Sequence, residues 1–166
     1  MSVYTIKMNF IDKTDSFNFC KNNNLVGFGW GIPDCYGEIK SIEAYKTVRK
    51  QNGLYKSCRE LTRSMNLLET IQANDYIWTI DLSAYQPQYY LCKSTGEYKH
   101  LTEDYANKYG LANCMVCKFV LIGNGDIVPE EVKRYLHSDG IVYNLSSKKQ
   151  QSVAELLYEE YKLLCV

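Results

Sequence analysis

The chain carries no excess charge of either sign, no long apolar run and almost no histidine, and each shortage removes a class of function. Lys plus Arg and Asp plus Glu both number 19, so the formal net charge is zero. Tight, sequence-blind binding of long duplexes relies on many phosphate contacts and is disfavoured, whereas a pocket for one base is not. No apolar run approaches the roughly 18 residues of a membrane span, so a soluble protein that makes no membrane contact is expected. His100 and His137 are the only histidines. The first reads as a hairpin-edge residue. The second reads as a helix C-terminus, where the dipole favours a cation, so both read as surface groups. There is no P-loop, H-E-x-x-H or G-x-S-x-G pattern, and no nuclease-like cluster of Asp, Glu and Lys. With no base placed beside a nucleophile, no catalytic residue is assigned, no cofactor is expected, and the chain is read as a non-enzyme.

Seven cysteines are present: Cys20, Cys35, Cys58, Cys92, Cys114, Cys117 and Cys165. The start, Met1 to Phe10, alternates polar and apolar residues and then meets Asp12, Lys13 and Asp15, which does not read as a signal peptide. An odd count without an export signal implies free thiols in a reducing compartment, so a cytoplasmic location is expected. Cys114 and Cys117 form a C-x-x-C, but no second pair or spaced histidines complete a zinc site. The pair also lies in a strand-like run, where positions three apart face opposite ways. No metal site is expected.

The most unusual stretch is Leu25-Val26-Gly27-Phe28-Gly29-Trp30-Gly31-Ile32-Pro33. Alternating glycines allow close backbone approach, and Phe28 and Trp30 project from one face of an extended segment. Two readings stay open: a shelf on which a planar heterocycle stacks, or a strand whose rings fill the core beside a glycine bulge. The spacing is not that of a dinucleotide fingerprint, and Pro33 stands where a helix should open.

Around this stretch the periodicities predict a single domain over residues 1–166. Val3 to Phe10 alternates as a half-buried strand. Asp15 or Ser16 caps a helix that ends at the Asn22-Asn23-Asn24 run. A helical insertion spans about 39–67, as one helix from Ile39 to Gln51 and a second from about Ser57, with Glu60 completing a capping box. Strands follow over Tyr76 to Ile80 and Gln88 to Ser94, then a turn at Gly96 and a further strand to Leu101. Asn113 to Ile122 reads as a buried strand, Pro129 as the first turn of a helix to about His137, and Ile141 to Asn144 as a short strand. A C-terminal helix runs from about Gln150 to Leu164.

In order, the chain offers a strand and helix, Gly27-Phe28-Gly29-Trp30-Gly31, the helical insertion, Asn74-Asp75-Tyr76-Ile77-Trp78-Thr79 and Tyr89-Tyr90-Leu91. Asn113 with Cys117-Lys118-Phe119-Val120, and Val128-Pro129-Glu130-Glu131-Val132, complete the series. This order resembles the PUA-like superfamily, and within it the EVE-like and modified-base reader modules of prokaryotic restriction and defence proteins. The resemblance implies an α+β fold with a strongly bent mixed β-barrel flanked by helices. It also implies a nucleic acid, DNA or RNA, whose plain or modified base sits in an aromatic cage. Carried onto this chain, it puts Gly29, Trp30 and Gly31 at one side of the pocket, Trp78 and Asp81 at another, and Tyr90 as a closing ring. The chain has Ile80 and Met115 where related sequences often carry an arginine.

The chemistry of such a pocket follows from general rules. Stacking offsets the cost of unstacking a flipped base, and a few polar groups read its edge. Asp81 and Asn113 are the candidates for edge reading, since a carboxylate accepts from an exocyclic amine and an amide both donates and accepts. Trp78 can equally be a core ring and Asp81 a strand-end turn residue. Between Glu43 and Arg63 six bases, Lys46, Arg49, Lys50, Lys56, Arg59 and Arg63, face two acids. They read either as a solvated helical face or as contacts to a nucleic-acid backbone. The competing function is a protein-interaction or inhibitor protein of phage or mobile-element origin. It would use a surface drawn from the fifteen tyrosines to hold a protein partner, and would bury both tryptophans.

Overall fold

The structure, a computed structural model, describes residues 1–8, 13–29, 39–51, 59–83, 85–101 and 110–163. Within these the chain forms β1 (Val3–Ile6), α1 (Lys13–Asn22), β2 (Leu25–Phe28), α2 (Ile42–Gln51), α3 (Arg59–Glu69) and β3 (Tyr76–Asp81). Then come β4 (Gln88–His100), β5 (Asn113–Gly123), α4 (Glu130–Leu136), β6 (Val142–Asn144) and α5 (Lys148–Lys162). The strands make one mixed six-stranded sheet in the order β2-β5-β4-β3-β1-β6. β1 and β3 run parallel, and the other neighbouring pairs are antiparallel. The chain is thus α+β, and the sheet is a half-barrel with β2 and β6 at its two ends.

Both faces of this sheet are covered. Strand residues alternate between faces, so each strand divides its side chains between two cores. On one face Tyr4, Ile6, Ile77, Cys92 and Met115 pack under Phe17 of α1, Tyr45 of α2, and Leu61, Met65 and Leu68 of α3. On the other, Val3, Tyr76, Trp78, Leu91 and Val120 pack under Val132 and Leu136 of α4 and Ala154 and Leu157 of α5. This changes the half-buried reading of the first strand. All four residues of β1 are buried, because its polar-looking partner face is covered as well. Cys114 and Cys117 both lie buried in the first core, with Cys20 and Cys92. Cys35, Cys58 and Cys165 lie outside the described residues.

The helix ends follow local chemistry. α1 stops where Asn24 takes a left-handed conformation at φ 56°, a role that Asn fills better than most residues. Ser41 Oγ accepts from Ala44 N at 3.1 Å and opens α2, and Ser147 Oγ accepts from Gln150 N at 3.2 Å and opens α5 at Lys148. Glu60 is engaged with two other groups among the described residues. Its Oε1 accepts from Ser64 Oγ at 3.3 Å and Ile141 N at 3.1 Å, tying α3 to the entry of β6. Ser57, the expected cap, lies outside the described residues.

The expected turn at Gly96 is instead a bulge inside one long strand. β4 continues to His100, and its register against β5 shifts between Ser94 and Tyr98: Ser94 faces Cys117 and Tyr98 faces Met115. Four steps along β4 match two along β5, and Gly96, at φ +82°, takes up the extra length.

β2 approaches β5 unusually closely. A Cβ on Gly27 would lie 2.2 Å from Asn113 O and 2.6 Å from Cys114 Sγ, so no side chain fits without moving backbone. Gly27→Ala is therefore expected to destabilise the fold by about 2 kcal/mol or more, read as a lower urea midpoint.

Candidate functional site

The residues that stand out chemically gather where β2, β4 and β5 meet near their ends. Asn113 opens β5, paired with Phe28 of β2 and His100 of β4. Its side chain is 0% exposed. Oδ1 accepts from the Tyr98 hydroxyl at 2.6 Å, while Nδ2 has no hydrogen-bond partner among the described residues. A buried donor left in this state costs about 1 to 3 kcal/mol, and such groups ask for an explanation. Gly29 supplies part of one. Its φ of +96° is left-handed, and a Cβ there would lie 3.0 Å from Asn113 Nδ2, 3.8 Å from Leu61 Cδ1 and 3.9 Å from the Tyr45 hydroxyl. The bare backbone leaves the space beside the amide without a side chain. Gly29 is itself held by its bridge to Leu111 and by Ala112 N donating to Gly29 O at 2.8 Å.

Around this amide stand Tyr98, His100, Tyr45 and Arg49. The Tyr98 hydroxyl is 3.4 Å from His100 Nδ1, the Tyr45 and His100 rings are 5.4 Å apart, and Arg49 Nη1 donates to the Tyr45 hydroxyl at 3.1 Å. Burial pushes the His100 imidazole below its ordinary range, although its hydrogen bond to Asn113 works the other way. Burial also drives the Tyr98 phenol well up, helped by Cys114 and Tyr45. Near neutral pH the site therefore presents an amide, hydroxyls and a neutral ring, with Arg49 as its charge. His100 is only partly buried but is not the plain surface residue its sequence context suggests. Tyr98 and His100 were detectable as a period-two pair on one strand face. Tyr45 carried only the signal of a core helix position.

The other residues assigned to the base pocket do not join Asn113. Trp78 is 0% exposed and belongs to the second core. Its register partner is Leu91, whereas Tyr90 faces Thr79, so Trp78 and Tyr90 point to opposite faces of the sheet. A ring sealed beneath α4 and α5 offers no face to a ligand, which corrects the expectation that Trp78 lines a cage. Asp81 pairs with Gln88 at the start of β4, whereas Asn113 pairs with His100 at its end. At 3.3 Å per residue these lie about 35 to 40 Å apart along the strand, too far to share one base. Asp81 is the strand-end turn residue instead, accepting from Ser83 N at 2.8 Å and Ser83 Oγ at 2.6 Å. Tyr90 sits at that same distant end. Its phenol is raised by burial and then by Asp81. Trp30 and Gly31 lie outside the described residues, as does Lys56 of the basic series.

The remaining bases divide into engaged and exposed groups. Lys46 is paired with Glu69 and, at 3.9 Å, with Glu43. Arg63 pairs with Glu60 at 3.6 Å and covers the Tyr143 ring at 4.9 Å. Lys50 and Arg59 are exposed. Lys46 and Lys50 also line an open groove of about 710 Å³ on α2. Among the described residues no group of three or more His, Cys, Asp or Glu is placed to hold a metal, and no described helix is long and apolar enough to cross a membrane. No protein-family model, curated protein or solved structure matches the chain.

Two outcomes follow. Trp78→Ala is expected to cost about 3 to 5 kcal/mol in a urea melt, as a core cavity does. His100 has a folded-state pKa below its unfolded value near 6.5. The unfolded chain then binds the extra proton first, so stability holds above about pH 6.5 and falls as pH drops through the lowered folded pKa. Urea midpoints from pH 7.5 down to 5 should trace that loss, and His100→Asn should flatten it.

Proposed function

We propose that the chain is a non-catalytic nucleic-acid-binding module of the PUA-like, EVE-like type. It holds one base of DNA or RNA, plain or modified, at the Gly29 and Asn113 end of the sheet. The observation that carries this reading is the fully buried Asn113 amide, with its donor unpartnered among the described residues and facing the bare left-handed backbone of Gly29. Polar groups that converge in a mostly apolar setting suit a planar, uncharged heterocycle, and a base gains from hydrogen bonds on its edge. Tyr45, Tyr98 and the Arg49 that bonds Tyr45 surround the amide. Lys50 and Arg59 are available for adjoining phosphates. Zero net charge keeps the electrostatic share of affinity small.

A specific observation also favours the protein-interaction reading. Trp78 is buried, and Tyr85 is fully exposed beside the exposed Leu82 in the connection between β3 and β4. Exposed tyrosine is a common anchor of protein interfaces.

Fluorescence anisotropy with labelled single-stranded and duplex oligonucleotides at low salt separates the two. Some of these should carry methylated or hydroxymethylated cytosine or methylated adenine. Base binding predicts saturable association, a shallow salt dependence and at least about a tenfold loss in Asn113→Ala, with Trp78→Phe close to wild type. A flat response to every oligonucleotide sinks the reading and leaves the Tyr85 surface as the better guide.

A further inference from the structure

We infer that this site grips its base through an edge of hydrogen-bond acceptors, such as cytosine presents at N3 and O2 and guanine at O6 and N7. The inference rests on the base-binding reading above and adds the class of base.

Among the described residues, Asn113 is the floor group whose bonding state fixes a demand on the ligand. An amide carries one acceptor oxygen and a two-proton donor nitrogen. Here the oxygen is committed: the Tyr98 hydroxyl donates to it at 2.6 Å. The Tyr98 donor on Oδ1 holds the amide with its N–H₂ turned away from that hydroxyl. That N–H₂ has no partner among the described residues, in a side chain that is 0% exposed. It lies 3.0 Å from the position a Cβ on Gly29 would fill.

A group in this state binds whatever supplies an acceptor and opposes whatever brings a donor, because a donor against a donor leaves both unpaired. Every base offers some acceptor, so the bases separate by whether a donor stands beside it. Cytosine and guanine each have two adjacent acceptors, at N3 and O2 and at O6 and N7. Uracil and thymine place the N3–H donor between their carbonyls, and adenine sets its N6 amine beside N1 and N7.

The test is a side-chain and backbone NMR titration with the 5′-monophosphates of cytidine, guanosine, uridine and adenosine. All four carry the same phosphate, so differences among them report the base. The cytidine and guanosine nucleotides should bind at least about tenfold more tightly than the other two. The Asn113 side-chain amide protons should move downfield on their addition. Asn113→Asp replaces the donor with an acceptor at nearly constant shape, and should abolish or reverse that ranking. Should that variant fail to fold, the wild-type amide shift still decides. Equal binding of all four nucleotides, preference for uridine or adenosine, or an unmoved Asn113 amide on saturation overturns the inference while base binding stands. Absence of binding by every nucleotide and every oligonucleotide overturns the base-binding reading and this inference with it.

Discussion

Coverage of the sheet on both faces is the constraint on which the rest of the structure depends. Once α1, α2 and α3 close one face and α4 and α5 the other, strand periodicity assigns most strand side chains to one of two cores. Trp78 and Tyr90 sit on neighbouring strands yet never meet, because adjacent positions in the ladder separate them. The interior of such a sheet has little room for a ligand. The polar chemistry of the candidate site collects instead at the strand ends, with Asn113, His100 and Gly29.

Most of the elements were legible in the sequence, because their signals were local. Alternation and helical spacing marked the strands and helices, and Asn or Ser marked several of their ends. β3, β5 and the helix that follows Pro129 fall within a residue or two of the sequence reading, whereas β4 begins where expected and runs on to His100. What misled was partnership, which no local pattern encodes. Val3 and Thr5 look like the wet side of a strand, yet α4 and α5 cover that side. Trp78 and Asp81 are close in sequence and belong to different roles. Glycine at position 96 signals a turn just as well as a bulge, and only the length of β5 alongside decides between them.

The candidate site was half legible. Gly29 and Asn113 were both named from the sequence, for reasons that apply to each alone: a glycine permits approach and an amide reads an edge. That they face one another depends on β2 and β5 pairing, with Phe28 opposite Asn113. Tyr98 and His100 were passed over because a histidine near a glycine turn reads as solvent-facing. The strand continues through that glycine, and this converts an edge residue into part of the floor. The basic series, conspicuous as a run, loses weight once Lys46, Arg49 and Arg63 are seen to be engaged within the fold.

The bulge at Gly96 bears on how the chain can change in length. Its surplus over β5 is two residues, an even number, so Tyr98 and His100 keep the facing that Ser94 had before it. An insertion or deletion of one residue between Ser94 and Tyr98 reverses that facing, turning phenol and imidazole outward and their charged neighbours in. A change of two preserves it. The segment thus acts as a parity lock, intolerant of odd steps in length, and it couples the identity of the site to a count of residues as well as to the glycine at its centre.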